Sequence, residues 1–195
     1  MKKITVSLAS LFIAFNLSAA TTPAIDLSQS PYVQAGYALT QINYKATDSI
    51  YGTSTSGYGN AINRPVIAFG FPISPLLNVE VGYSFPSEVT GGQSMYHINS
   101  QTSYLKLIGH YSIANNFALL LGAGPAITTT PDSYYVYNGQ NVQVTSSIMD
   151  FNVVAGGQYF FTSNLGVKAT VDYGFYKSSV RKSSLTEALN LVYLI

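Results

Sequence analysis

His110 and Ser112, in the stretch "HYSIANN", are the two residues whose types and spacing come nearest to covalent chemistry. An imidazole two residues from a hydroxyl can act as base and nucleophile in acyl transfer. The strand parity derived below points both into one enclosed space beside a turn. No acidic residue follows Ser112 until Asp132, beyond the next strand, to orient the imidazole. Ser112 therefore reads as the start of a turn, and no catalytic residue is assigned. Metal chemistry is no better provided for, because His97 and His110 lack ligand spacing and there is no cysteine. Gly91 and Gly92, and the "GAG" from Gly122 to Gly124, open no helix and so make no phosphate loop. No cofactor is called for.

Glu80, Lys106, His110, Asp150, Lys168 and Asp172 pose a different question, since each sits inside a stretch of alternating apolar residues. To place them, the elements that carry them must be identified. The chain begins "MKKITVSLASLFIAFNLSAA", with Lys2 and Lys3, an apolar stretch and small residues before Thr21. This is the pattern of a cleavable secretory signal peptide over residues 1–20, which leaves 21–195 as one domain. Without Lys2 and Lys3, seven basic and eight acidic residues remain, a net charge of −1 that offers nucleic acid no general electrostatic grip.

Only 9% of the residues are charged, against about 25% in ordinary soluble domains, while Tyr (16) and Phe (10) are plentiful. Past residue 20 no apolar run reaches the ~18 to 20 residues of a membrane-spanning helix; "FALLLGAGPAI" falls well short and contains glycines and a proline. A closed β-barrel is the other structure that satisfies its whole backbone in lipid. Eight strands are expected, at Tyr32 to Gln41, Arg64 to Pro72, Asn78 to Phe85, Gln101 to Ser112, Phe117 to Thr128, Ile148 to Phe160, Leu165 to Tyr176 and Leu185 to Ile195. Their connections alternate between short turns ("ISPLLN", "SIANN", "FTSN") and longer loops. That rhythm belongs to an all-β, antiparallel, up-and-down transmembrane barrel with both termini on the periplasmic side.

The outward parity collects Val33, Ala35, Tyr37, Leu39, Ile67, Phe69, Val81, Leu105, Leu107, Leu119, Leu121, Phe151, Val153, Val167, Val171, Leu189, Leu191, Tyr193 and Ile195. No charge appears among them. Glu187 shares the parity of Leu189, and is accommodated either at the outer strand end or by a strand that begins after it. Aromatic residues sort into two girdles, as at membrane interfaces. A soluble lipocalin-like barrel with this face turned inward would leave a charge-poor outside. The inward parity is small and polar. Eight strands enclose a space just wide enough for side chains, so Lys106 and Lys168 are expected to pair among Glu80, Asp150 and Asp172.

The segments "YVQAGYAL", "LNVEVGYSF", "NNFALLLGAGPA", "NLGVKATVDYGF" and the terminal "LNLVYLI", in this order across the whole mature chain, resemble the small eight-stranded outer-membrane proteins of the opacity-protein, OmpX and OmpA-barrel type. The resemblance implies a Gram-negative-type outer membrane, with outer-membrane lipid and lipopolysaccharide as surroundings. It also implies that Leu189, Leu191, Tyr193 and Ile195 form the signal read by the barrel assembly machinery, with Ile in place of the usual terminal Phe. Some small barrels of this kind modify lipid A, a role for which His110 and Ser112 are poorly placed. The expected function is a non-catalytic surface protein acting in adhesion, interaction with a host or environmental ligand, or envelope integrity. Tyr44, Tyr51, Tyr58, Tyr134, Tyr135 and Tyr137 in the outer loops would supply the contacts. The alternative is a narrow OmpW-like channel for small or apolar solutes.

Overall fold

A computed structural model describes residues 30–47, 54–58, 62–90, 96–129, 134–137, 140–143, 147–176 and 181–195. Within them the chain forms strands β1 (Tyr32–Thr47), β2 (Ser54–Tyr58), β3 (Ile62–Ser74), β4 (Leu77–Thr90), β5 (Tyr96–Ala114) and β6 (Phe117–Thr129). Then follow β7 (Tyr134–Tyr137), β8 (Gln140–Gln143), β9 (Ser147–Phe160), β10 (Leu165–Tyr176) and β11 (Arg181–Leu194). Eight of these close a ring in the order β1, β3, β4, β5, β6, β9, β10, β11 and back to β1, every pair antiparallel. The closing seam runs from Tyr32↔Leu194 to Thr40↔Thr186 without a break, so no barrel strand keeps a free edge along it.

The alternation of apolar and polar residues becomes two walls because successive side chains of a strand point to opposite faces. The outward residues expected from the sequence lie on the outer wall, and most of its large apolar members are exposed, Leu121 at 68% and Ile195 at 72%. Near the rims, aromatic residues two apart stack edge to face: Tyr83 with Phe85 at 5.1 Å, Tyr173 with Phe175 at 4.8 Å, and Tyr159 with Phe161 at 5.6 Å between ring centroids. Such pairs hold broad amphipathic rings at a fixed height.

One rim is tight. Two-residue turns join β3 to β4 and β5 to β6, and Phe161 to Asn164 joins β9 to β10, where the Thr162 hydroxyl accepts from the amides of Asn164 and Leu165. Both described chain ends meet on this rim, the Ile195 amide donating to Pro31 carbonyl at 2.9 Å and that of Leu194 to Asn164 carbonyl at 2.8 Å. At the other rim the strands run on past the expected ends. β1 reaches Thr47 rather than Gln41, β4 reaches Thr90, and β5 starts at Tyr96 rather than Gln101. Two of the expected loops contain strands: β2 folds back on β1, and the β7–β8 hairpin pairs with β5. These segments are rich in Ser, Thr, Tyr and Gln, which pair well in a sheet. Their sequences carry no apolar-polar period of two to announce them.

Two further expectations are corrected. β11 begins at Arg181, not after Glu187, so Glu187 lies inside the strand, opposite Leu39 and Val171. The lumen, in addition, is not lined by small and polar residues throughout. Its tight end is an apolar cluster of Tyr32, Ala118, Phe160, Val192 and Leu194, with Ile108, Leu120 and Val154 forming a second. Inward parity at a narrowing rim meets side chains from the facing wall instead of water, so bulk apolar residues fill it.

An exposed outer wall facing lipid sets a depth-dependent cost for charge. Leu121→Arg, part-way up β6, is expected to lower stability by about 2 to 4 kcal/mol, and Ile113→Lys, beside the tight turn, by about 0 to 1 kcal/mol. Urea titration of the folded, heat-modifiable band in phosphatidylcholine vesicles measures both. Equal losses at the two positions would contradict a lipid-facing wall.

Candidate functional site: a polar plug across the lumen

Tyr32, Gly70, Glu80 and Lys106 occupy one inter-strand row, on β1, β3, β4 and β5 in turn. All four positions face inward. Gly70 makes the row work, because a Cβ there would fall on the Tyr32 ring. Without it, the Tyr32 ring leans across β3 and its hydroxyl donates to Glu80 Oε2 at 2.6 Å. Gly82 does the same for Tyr104, its opposite residue on β5. The Tyr104 hydroxyl donates to Glu80 Oε1 at 3.3 Å. A glycine in a strand interior usually weakens it, and these two are explained by the rings that approach them.

Glu80 is only 3% exposed, and its carboxylate takes a third partner, the Lys168 ammonium. β10, which carries Lys168, is four places from β4 in either direction around the ring, so this ion pair spans the full width of the barrel. A second pair, Lys106 with Asp172, joins β5 to the same β10. The ammonium groups also sit over rings, Lys106 Nζ at 4.2 Å from the Tyr104 centroid and Lys168 Nζ at 5.4 Å from that of Tyr32. Ring faces attract cations most where water is excluded. Each buried charge is thereby matched by an opposite charge, and Glu80 also by two hydroxyl donors. Breaking one such pair costs about 3 to 5 kcal/mol, because the remaining charge stays buried.

His110 lies nearer the tight rim, where its Nε2 accepts from the Asn78 side-chain amide at 3.1 Å. With the amide as donor, the ring proton belongs on Nδ1. Ser112 is exposed at the turn end of β5, while His110 is buried and bonds Asn78. Towards the wide rim, Arg64 donates from Nη1 to Ser100 at 3.2 Å and to Thr102 at 3.1 Å. Thr102 bonds Thr128, and Thr40 bonds Thr186, each at 3.0 Å. Arg64 and Asp150 line a cavity of about 60 Å³ here, room for a few water molecules.

The structure thus brings Glu80, Lys106, Lys168 and Asp172 into one cross-lumen network, with His110 below it and Asp150 above. Among the described residues, three cations (Arg64, Lys106, Lys168) and three anions (Glu80, Asp150, Asp172) are buried in the lumen. Sequence reasoning overlooked Tyr32, Arg64 and Tyr104. Parity would have found them, since Tyr32 is two residues from Gln34 and Tyr104 two from Lys106. Leu189, Leu191, Tyr193 and Ile195 lie on the outer wall of β11, next to the seam with β1. Among the described residues no group of three or more His, Asp or Glu side chains is arranged to hold a metal ion.

No family model matches the chain, and no curated protein does. Solved structures do. The neisserial surface protein NspA is 17% identical, with 84% of this chain and 96% of that one aligned at a TM-score of 0.61. Ail, the attachment invasion locus protein of Yersinia pestis, solved in complex with the heparin analogue sucrose octasulfate, is 13% identical over 86% of this chain and 99% of its own, at 0.56. The outer membrane protein OprG of Pseudomonas aeruginosa is 15% identical over 86% and 94%, at 0.59. Identities this low speak to architecture alone, and that architecture agrees with the closed ring of eight antiparallel strands: the chain has the fold of the small eight-stranded outer-membrane β-barrels.

Proposed function

We propose that this protein is a non-catalytic surface protein of a Gram-negative-type outer membrane, whose barrel is a rigid, filled anchor and whose extended wide rim makes the contacts. The observation that carries this reading is the pair of ion pairs tying β4 and β5 to β10 above an apolar seal at the tight rim. A hydrated ion crossing this lumen would have to separate both pairs and then pass the seal. The tight rim, with both termini, faces the periplasm in this reading, and residues 1–20, outside the described residues, are the export signal. At the wide rim β1, β4 and β5 continue beyond their expected ends, and β2, β7 and β8 add paired strands. Contact surfaces on such a scaffold can vary without disturbing the barrel.

The contacts would serve adhesion, interaction with a host or environmental ligand, or envelope integrity. Ail, an attachment protein with a heparin analogue bound, supports a contact role for this fold. A catalytic role in lipid A modification has no support from His110, which bonds Asn78 and not Ser112. Leu189, Leu191, Tyr193 and Ile195 are read by the barrel assembly machinery on this proposal, being the exposed face of the strand that closes the ring.

Four outcomes are expected. Lys168→Met should cost about 3 to 5 kcal/mol in urea unfolding, and adding Glu80→Gln should recover much of it by removing the stranded charge; the wild-type barrel should be silent in planar bilayers, where steady unitary conductance would favour the narrow channel instead. Deleting residues 193–195 should reduce the amount of heat-modifiable protein in outer-membrane fractions, and normal insertion of the truncated chain would remove the assembly role. Replacing the β1–β3 or β6–β9 connection with a short turn should lower adherence or raise envelope leakage while the gel shift stays intact; a full set of replacements without effect on either would refute the contact reading.

A further inference from the structure

Among the residues whose side chains are described, Glu187 carries the one charge on the outer wall. It is eight residues before Ile195, so it stands about 26 Å along the strand from the tight rim. With the usual tilt that is about 20 Å of height, inside an apolar band about 25 Å tall. Towards the outer edge of that band the cost of a charge is smaller than at its centre, but lipid tails still offer the carboxylate no partner.

The neighbouring positions supply what the tails do not. Leu39 on β1 lies in one row between Glu187 on β11 and Asn63 on β3, and all three face outward. Gln41 and Tyr37 share the outer face of β1, two residues above and below Leu39; Tyr37 is 62% exposed. No hydrogen bond or ion pair to another described residue is made by the side chains of Tyr37, Gln41, Asn63 or Glu187. The patch therefore holds an acceptor, Glu187, and a donor, Asn63, on opposite sides of Leu39, with Tyr37 and Gln41 below and above it, inside a wall that includes Ala35, Pro65, Ile67, Leu189 and Leu191. Such a patch is complementary to itself.

We propose that this wall is where two copies of the chain meet in the membrane, Glu187 of each accepting a hydrogen bond from the Asn63 side chain of the other, with Tyr37 and Gln41 flanking the axis. A two-fold axis along the membrane normal near Leu39 makes the contact reciprocal, as an isologous interface requires. Polar side chains act as glue between lipid-embedded elements because their alternative is to stay unsatisfied in hydrocarbon. The opposite wall, centred on β6, is four places away around the ring and lacks a described charge. This inference is independent of the loop function proposed above.

The chain has no cysteine, so single cysteines report proximity directly. Leu39→Cys, beside the proposed axis, and Leu121→Cys, on β6, are reconstituted in phosphatidylcholine vesicles, oxidised with copper phenanthroline and run on non-reducing gels. Leu39→Cys is expected to give a disulfide-linked dimer, with Leu121→Cys at background. Adding Glu187→Leu should reduce the Leu39→Cys dimer about fivefold. The gel shift on heating should persist, since Leu suits a lipid-facing wall. A Leu39→Cys chain that stays monomeric, cross-linking equal at the two positions, or a dimer undiminished by Glu187→Leu would each overturn the proposal. A partner of another kind or a bound lipid would show itself as the first of these.

Discussion

Everything in this molecule depends on the satisfaction of backbone hydrogen bonds where no water can reach them. A strand in lipid cannot leave its amides and carbonyls unpaired, so the sheet must close on itself. The seam between β1 and β11 does this, from Tyr32↔Leu194 upwards, and the amide of Ile195 finishes it by donating to Pro31 carbonyl.

Closure with eight strands then determines what the interior can be. The space is just wide enough for side chains to fill, and residues from opposite walls touch across it. Glu80 collects two tyrosine hydroxyls and the ammonium of a lysine from the far side of the ring, and Lys106 reaches Asp172 on the same far strand. These contacts tie distant parts of the sheet together, and breaking one strands a buried charge, a cost much larger than that of a surface pair. A scaffold braced in this way can carry changeable connections at one rim without changing its own shape.

The two walls solve opposite problems with the same period. Inside, the polar residues are paired and the apolar ones seal the tight rim. Outside, the apolar residues are exposed and the aromatic ones gather near the rims. Glu187 departs from this division, and its surroundings of Tyr37, Gln41 and Asn63 give the departure a physical meaning. The outer wall is not uniform around the ring, and one side of it carries directional chemistry.

The period of two in segments such as "LNVEVGYSF" and "NLGVKATVDYGF" was enough to determine, from residues alone, the strand count, the antiparallel barrel, the outward face and the inward position of Glu80, Lys106, His110, Asp150, Lys168 and Asp172. Parity is a local property and needs no knowledge of the neighbours. Which charges pair is not local. That Lys168 takes Glu80 and Lys106 takes Asp172 depends on the stagger between strands on opposite sides of the ring, which no single strand encodes. The roles of Gly70 and Gly82 are similar, because a missing side chain has meaning only beside the Tyr32 and Tyr104 rings that cross it. The extra strands at the wide rim were also invisible, since "STSGY", "YYVY" and "QNVQ" carry no apolar-polar alternation. The sequence by itself thus determined what each strand shows to lipid and to lumen, while only the closed ring decided which inward residues meet, because that contact is set by three-dimensional register across the barrel.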